Sequence, residues 1–219
     1  MPGACILAPL LVAESSRMPI TELLENLPKT VFYAVMICWV AFAVTFLLRK
    51  RPKKRAETKR AWNAVPGLAL QGIAYFFVWF KPLARPAYSP IVPLPRWAEL
   101  TLAIVTIATA VVSVWLVNAA VRRLGEQWAV GARLVEGHRL VTDGPYRLVR
   151  NPIYAGIFGM LIATGLAVAR WEVLLPAAVV FLLGTWIRVR GEEQLLREAF
   201  SQEFEDYARR VPAMIPRVW

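Results

Sequence analysis

Residues 31–48 read VFYAVMICWVAFAVTFLL, eighteen positions without a charge, and the chain turns at once into RKRPKKRAETKR over residues 49–60. A bilayer core about 30 Å thick is crossed by about 20 apolar residues in helical conformation. A helix on the surface of a soluble protein instead alternates an apolar stripe with a polar face. This run is apolar all round and predicts a membrane helix. The stretch behind it, with eight Lys or Arg in twelve residues, marks the side on which that helix emerges.

Outward from this pair of signals, four further apolar blocks occupy residues 62–80, 97–117, 153–169 and 171–187, the last slightly short. Of 219 residues 58% are hydrophobic and 19% charged, so nearly all charge is left for the connections. Trp62 and Trp79, Trp97 and Trp115, and Trp171 and Trp186 bracket three of the blocks. At 1.5 Å per residue these pairs stand roughly 23 to 27 Å apart, the spacing of aromatic rings at two membrane interfaces. Eight basic residues fall in 49–60, six in 122–150 and six from Arg188 onward, so 20 of the 26 lie on alternate connections. The rule that positive loops stay inside then puts the N-terminus outside and the C-terminus in the cytoplasm, an orientation that fits a bacterial inner membrane. The net charge of +11 is mostly this topology signal plus contact with anionic lipid. No basic-aromatic motif accompanies it, which argues against nucleic acid as a partner.

The expected fold is an all-α membrane protein: a five-transmembrane-helix bundle whose fourth and fifth helices form a C-terminal helical hairpin, followed by a cytoplasmic amphipathic helix. Residues 31–219 read as a single domain and residues 1–30 as an extension. Its run ACILAPLLVA has no basic region before it and no cleavage signal after it, so it is not read as a cleaved signal. It is an interfacial piece or lies upstream of a start at Met18. Cys5 and Cys38 make neither a disulfide framework nor a metal set.

The two longest polar pieces, residues 118–151 and from 188 to the end, both fall on the cytoplasmic side. The first closes with LVTDGPYRLVRNPIYAG over residues 140–156, where Asp143-Gly144-Pro145 is a turn signal and Asn151-Pro152 suits a helix start. A helix start attracts a carboxylate or phosphate, and Arg147 and Arg150 add to that attraction. The plain alternative is a capped helix with topology charges beside it. The second piece opens with RVRGEEQLL over residues 188–196. Arg188 with Glu192, Arg190 with Glu193, and Glu193 with Arg197 have the spacing of helical ion pairs. Adjacent acids at a membrane exit are also suited to a ligand ammonium. Phe200, Phe204 and Tyr207 recur at helical spacing, as packing residues or as an amphipathic cover over the mouth of a site. His138, the one histidine, has no ligand-spaced neighbours and reads as structural. The absence of GxGxxG and GxxxxGK weakens nucleotide-fold alternatives.

The ordered set GPYRLVRNPIYAG, an apolar hairpin, Glu-Glu and FSQEFEDYARRVPAMIP resembles the integral-membrane methyltransferases that include isoprenylcysteine carboxyl methyltransferase and the phospholipid methyltransferases. The resemblance covers roughly residues 124–216. It implies an S-adenosylmethionine site at the cytoplasmic face, with S-adenosylhomocysteine as product, held by Gly144, Tyr146, Arg150, Asn151, Pro152, Tyr154, Gly156, Glu192 and Glu193. The closing pattern of Phe200, Glu203, Tyr207, Arg210, Val211 and Pro212 also matches. On this reading Arg150 and the helix start take the cofactor carboxylate, while Glu192 or Glu193 takes its ammonium. Arg188 or Arg190 orients an acceptor carboxylate, which makes Arg150, Arg188, Arg190 and Glu193 the catalytic set, with no metal. Asn151 departs from the carboxyl methyltransferases, which usually have His there, whereas phospholipid methyltransferases can have Asn-Pro. The expected reaction is therefore methyl transfer to a lipophilic acceptor that enters laterally from the membrane lipids. A prenylated carboxylate comes first and a phospholipid or other lipid amine second. A nicotinamide-using membrane reductase or a non-catalytic scaffold is the third class.

Overall fold

The computed structural model describes residues 26–48, 57–86, 89, 91–129, 133–135 and 137–214. The N-terminal run ACILAPLLVA, Cys5, Met18 and most of the basic loop, residues 49–56, lie outside the described residues. Each of the five apolar blocks is a helix: α1 Leu27–Leu47, α2 Val65–Trp79, α3 Arg96–Leu124, α4 Pro152–Val168 and α5 Trp171–Arg210. Three stretches, Leu27–Leu47, Arg96–Gln127 and Trp171–Arg210, are long and apolar enough to cross a membrane. The other two helices are shorter, 15 residues in α2 and 17 in α4. At 1.5 Å per residue they reach about 22 and 26 Å.

Apart from these helices and short 3-10 turns, the described residues hold one two-stranded antiparallel ribbon, β1 Glu57–Arg60 with β2 Arg133–Val135. It ties the α1–α2 connection to the α3–α4 connection, so the two basic loops meet at one end of the bundle. Lys59 adds a 2.8 Å ion pair to Glu198 on the extension of α5. The opposite end is closed differently. Ala84 and Ala169 form an isolated bridge, and Arg85 donates from its backbone to Val168 O (3.1 Å) and from its guanidinium to Leu166 O (2.7 Å). A cation at the C-terminal carbonyls of α4 complements the helix dipole.

In lipid, apolar burial does not drive helices together, so close packing at small residues and internal hydrogen bonds must do it. α2 crosses α5 where Gly67 meets Gly184; a Cβ on Gly67 would stand 2.3 Å from Gly184 O, and one on Gly184 would stand 2.6 Å from Gly67 O. α4 lies on α3 in the same manner, Gly156 against Val117 and Gly159 against Ser113. Buried polar bonds stitch the bundle further: Trp39 Nε1 to Thr164 Oγ1 (2.9 Å), Tyr75 OH to Ile157 O (2.7 Å) and Gln71 Nε2 to Thr185 Oγ1 (2.8 Å). α4 and α5 are joined through Ala169 and Arg170 as the expected tight hairpin. α5 then continues past the apolar block as one helix to Arg210, broken only at Ser201, whose φ of 43° is left-handed.

Candidate active site

The site is built at the ribbon end, from the start of α4, the polar half of α5 and the loop before α4. Gly144 opens a 3-10 turn, Gly144–Arg147, with φ of 61°, a conformation that side chains other than glycine adopt at a cost. That turn buries Tyr146, whose carbonyl accepts a 2.7 Å bond from Tyr207 OH. Burial, with the neighbouring Tyr207 and Glu192, pushes the Tyr146 phenol above its ordinary value. α4 starts at Pro152 as expected, but Asn151 does not cap it with its side chain. Asn151 donates from N (2.9 Å) and from Nδ2 (3.0 Å) to Ala213 O, and Arg150 N donates to Pro212 O (2.8 Å). The amides at this helix entrance thus hold the chain end that follows α5.

Two charged clusters lie side by side. In the first, Arg150 donates from Nε to Glu193 (2.9 Å), forms a second contact with the same carboxylate (2.8 Å), and reaches Ala208 O and Val211 O. Glu193 is shared with Arg197 (3.2 Å), and Arg197 continues to Glu205 (2.9 Å), across the break at Ser201. In the second, Tyr154 OH donates to Glu192, accepts from Arg188 Nε (2.8 Å), and Arg188 stands 3.5 Å from Glu192. The Glu192 side chain keeps 26% of its surface accessible and Glu193 only 10%, which separates an acid open to a ligand from one enclosed by its partners.

A cavity of about 520 Å³ opens beside the second cluster, within the range of roughly 300 to 1,000 Å³ typical of small-molecule sites. Its polar part is lined by Tyr146, Asn151, Tyr154, Arg188, Glu192 and the strip from His138 to Val141. Its apolar part runs between the helices along Trp39, Phe42 and Phe46 of α1, Leu68 and Tyr75 of α2, and Ile157 of α4. Burial holds the His138 imidazole below its usual range, so it is neutral at neutral pH, and its Nδ1 is buried with no partner among the described residues.

Of the residues singled out from sequence, Tyr146, Arg150, Asn151, Tyr154, Arg188, Glu192 and Glu193 all line this cavity. Gly144 and Gly156 do not; the first shapes the turn and the second lets α4 approach α3. Arg190 is placed elsewhere. It is exposed, with its guanidinium 4.0 Å above the Trp186 ring, and the spacing that suggested a pair with Glu193 is taken up by Arg150 and Arg197. Phe204 and Tyr207 border the cavity, and Phe200 packs near His138 at 6.2 Å between ring centroids. Sequence reading missed the α1 aromatics, Gln71 and Tyr75. Their signals were the aromatics at positions 39, 42 and 46, three and four apart on α1, and a carboxamide at the centre of an apolar helix.

A helical bundle in which a charged cluster adjoins an aromatic gallery suits a lipophilic ligand with a polar head. Residues 101–203 match the family model described as phospholipid methyltransferase. The chain is 32% identical over 115 residues to "Nickel-cobalt-cadmium resistance protein NccN" of Alcaligenes xylosoxydans xylosoxydans, an alignment covering 51% of this chain and 53% of that protein. It is 33% identical over 86 residues to "Protein-S-isoprenylcysteine O-methyltransferase B" of Arabidopsis thaliana, covering 39% and 44%. Over 106 residues it is 29% identical to "Protein-S-isoprenylcysteine O-methyltransferase" of Schizosaccharomyces pombe, covering 48% and 45%. The chain spans about half the length of the relatives it matches. The chain is thus similar to the integral-membrane methyltransferases, as the motifs of its C-terminal part imply.

Proposed function

We propose that this protein transfers a methyl group from S-adenosylmethionine to the carboxylate of a lipophilic, isoprenylcysteine-like acceptor at the cytoplasmic face of the membrane. The observation that carries the reading is the single cavity in which Arg188, Tyr154 and Glu192 meet a gallery of apolar side chains. The cofactor supplies an activated methyl on a sulfonium and brings both a carboxylate and an ammonium. Glu192 is the acid with room for that ammonium. Arg150 and Glu193 neutralise each other and act as the frame instead of gripping the two ends of the donor.

Arg188 holds the acceptor carboxylate by a charge-assisted hydrogen bond, and Tyr154 fixes the angle between Arg188 and Glu192. A carboxylate acceptor requires no base. The residues contribute by positioning, worth several kcal/mol when reacting atoms are held about 3 Å apart, and by excluding water around a step in which opposite charges cancel. The gallery admits the hydrophobic tail from the bilayer. The proposal includes five spans, N-terminus outside, in a bacterial inner membrane, with residues 31–219 as one domain. On this topology the ribbon end, with its two basic loops, faces the cytoplasm.

A second reading, N-methylation of a phospholipid amine, is favoured by the description of the matching family and by His138. A neutral imidazole on the cavity wall is placed to take the proton an amine must lose. The test is methyl transfer from labelled S-adenosylmethionine by purified protein to a prenylcysteine acid and to extracted membrane lipid. The proposal expects base-labile label on the acid; base-stable label on lipid supports the second reading, and no transfer to either overturns both.

A further inference from the structure

Gln71 is a carboxamide at the centre of α2, 6% exposed, and it lines the cavity at the junction between the polar cluster and the aromatic gallery. A buried amide at membrane depth is costly unless bonded, and such groups mark ligand paths. One of its bonds fixes its orientation. Thr185 Oγ1 donates its only proton to Phe181 O (2.9 Å), so toward Gln71 it can only accept, and Gln71 must present its NH₂ there (2.8 Å). The carbonyl oxygen Oε1 is thereby turned away from Thr185, and it has no donor among the described residues. Thr185 precedes Arg188 by three residues on α5, a rise of about 5 Å. The Thr185 partner of Gln71 thus stands roughly one helical turn along α5 from the residue assigned to the reacting carboxylate.

We infer that Gln71 is a specificity-determining residue: its carboxamide oxygen accepts a hydrogen bond from an N–H or O–H borne by the acceptor close to the carboxylate. The preferred acceptor is then the acid end of an amide-linked lipidated residue and not a plain terpenoid or fatty acid. This rests on the carboxylate reading above. Gln71 lies outside residues 101–203, in the part of the chain beyond the family match, and the role assigned to it is contact with the acceptor.

The test compares N-acetyl-S-farnesylcysteine with 3-(S-farnesylthio)propionic acid, which keeps the tail, the spacer and the carboxylate but lacks the amide. Purified full-length protein should show about a tenfold higher kcat/KM for the amide-bearing acid, the value of roughly one good hydrogen bond at a buried site. In Gln71→Met the ratio should fall to about one through loss on that substrate alone, with S-adenosylhomocysteine affinity unchanged. Thr185→Val, which removes the bond aiming the carboxamide, should lower the ratio as well and serves if Gln71→Met does not fold. Equal wild-type rates on the two acids, or a ratio that survives either substitution, overturns the inference while leaving the carboxylate reading intact. Methylation of neither acid by protein that binds S-adenosylhomocysteine overturns that reading and the inference with it.

Discussion

Glu192 and Glu193 are neighbours in the chain, identical in chemistry, and about 100° apart around α5, and that angle gives them different work. Glu193 also borders the cavity but is taken up by the frame, where Arg150 and Arg197 hold it and Arg150 also grips two carbonyls at the end of α5. Glu192 faces the cavity, with a phenol and one guanidinium as partners and a quarter of its surface accessible. One acid is enclosed by its partners and the other keeps accessible surface. On the proposed function, consecutive acids on α5 combine a structural role in Glu193 with a ligand-facing one in Glu192.

The comparison can be broken most severely from the frame side. Arg150→Ala leaves Glu193 buried without its main partner, and one member of a buried pair removed costs about 3 to 5 kcal/mol. A strongly lowered melting temperature in detergent is expected, and an unchanged melt would mean that the frame is not a frame. Glu192→Gln keeps size and removes charge; it should cut methyl transfer by about 100-fold, roughly 2.7 kcal/mol of transition-state stabilisation, with a melt close to wild type. Tyr154→Phe removes the hydroxyl that bridges Arg188 and Glu192. About a tenfold loss in kcat/KM, or roughly 1.4 kcal/mol, is expected from looser positioning. Arg190→Ala sharpens the contrast from outside it: its side chain rides on Trp186 away from the cavity, and activity should stay within about twofold, as surface changes usually do.

Much of the scaffold was legible before any coordinates. Apolar blocks of membrane length predicted all five helices, because in lipid an uninterrupted apolar run has few other ways to satisfy its backbone. The start of α4 at Pro152 followed from helix-start chemistry, and the tight α4–α5 hairpin from two apolar blocks that only Arg170 separates. The partition between the acids was not legible, since the partner that decides it, Arg150, lies 43 residues away from Glu193. Local spacing offered Arg190 and Arg197 instead, and only the latter pair forms. Asn151 was misread for a related reason: it has the composition of a cap, but Ala213 O competes for its side chain. The α1 aromatics escaped because side chains that line a gallery and side chains that face lipid have the same hydropathy.

The most direct test of the partition is calorimetric binding of S-adenosylhomocysteine to folded wild-type, Glu192→Gln and Glu193→Gln protein. Glu192→Gln should weaken binding by at least about tenfold, a loss of about 1.4 kcal/mol, while Glu193→Gln should lower the melting temperature and leave the affinity of the folded fraction within about threefold. Equal affinities for wild type and Glu192→Gln, or a larger loss in Glu193→Gln, would contradict it.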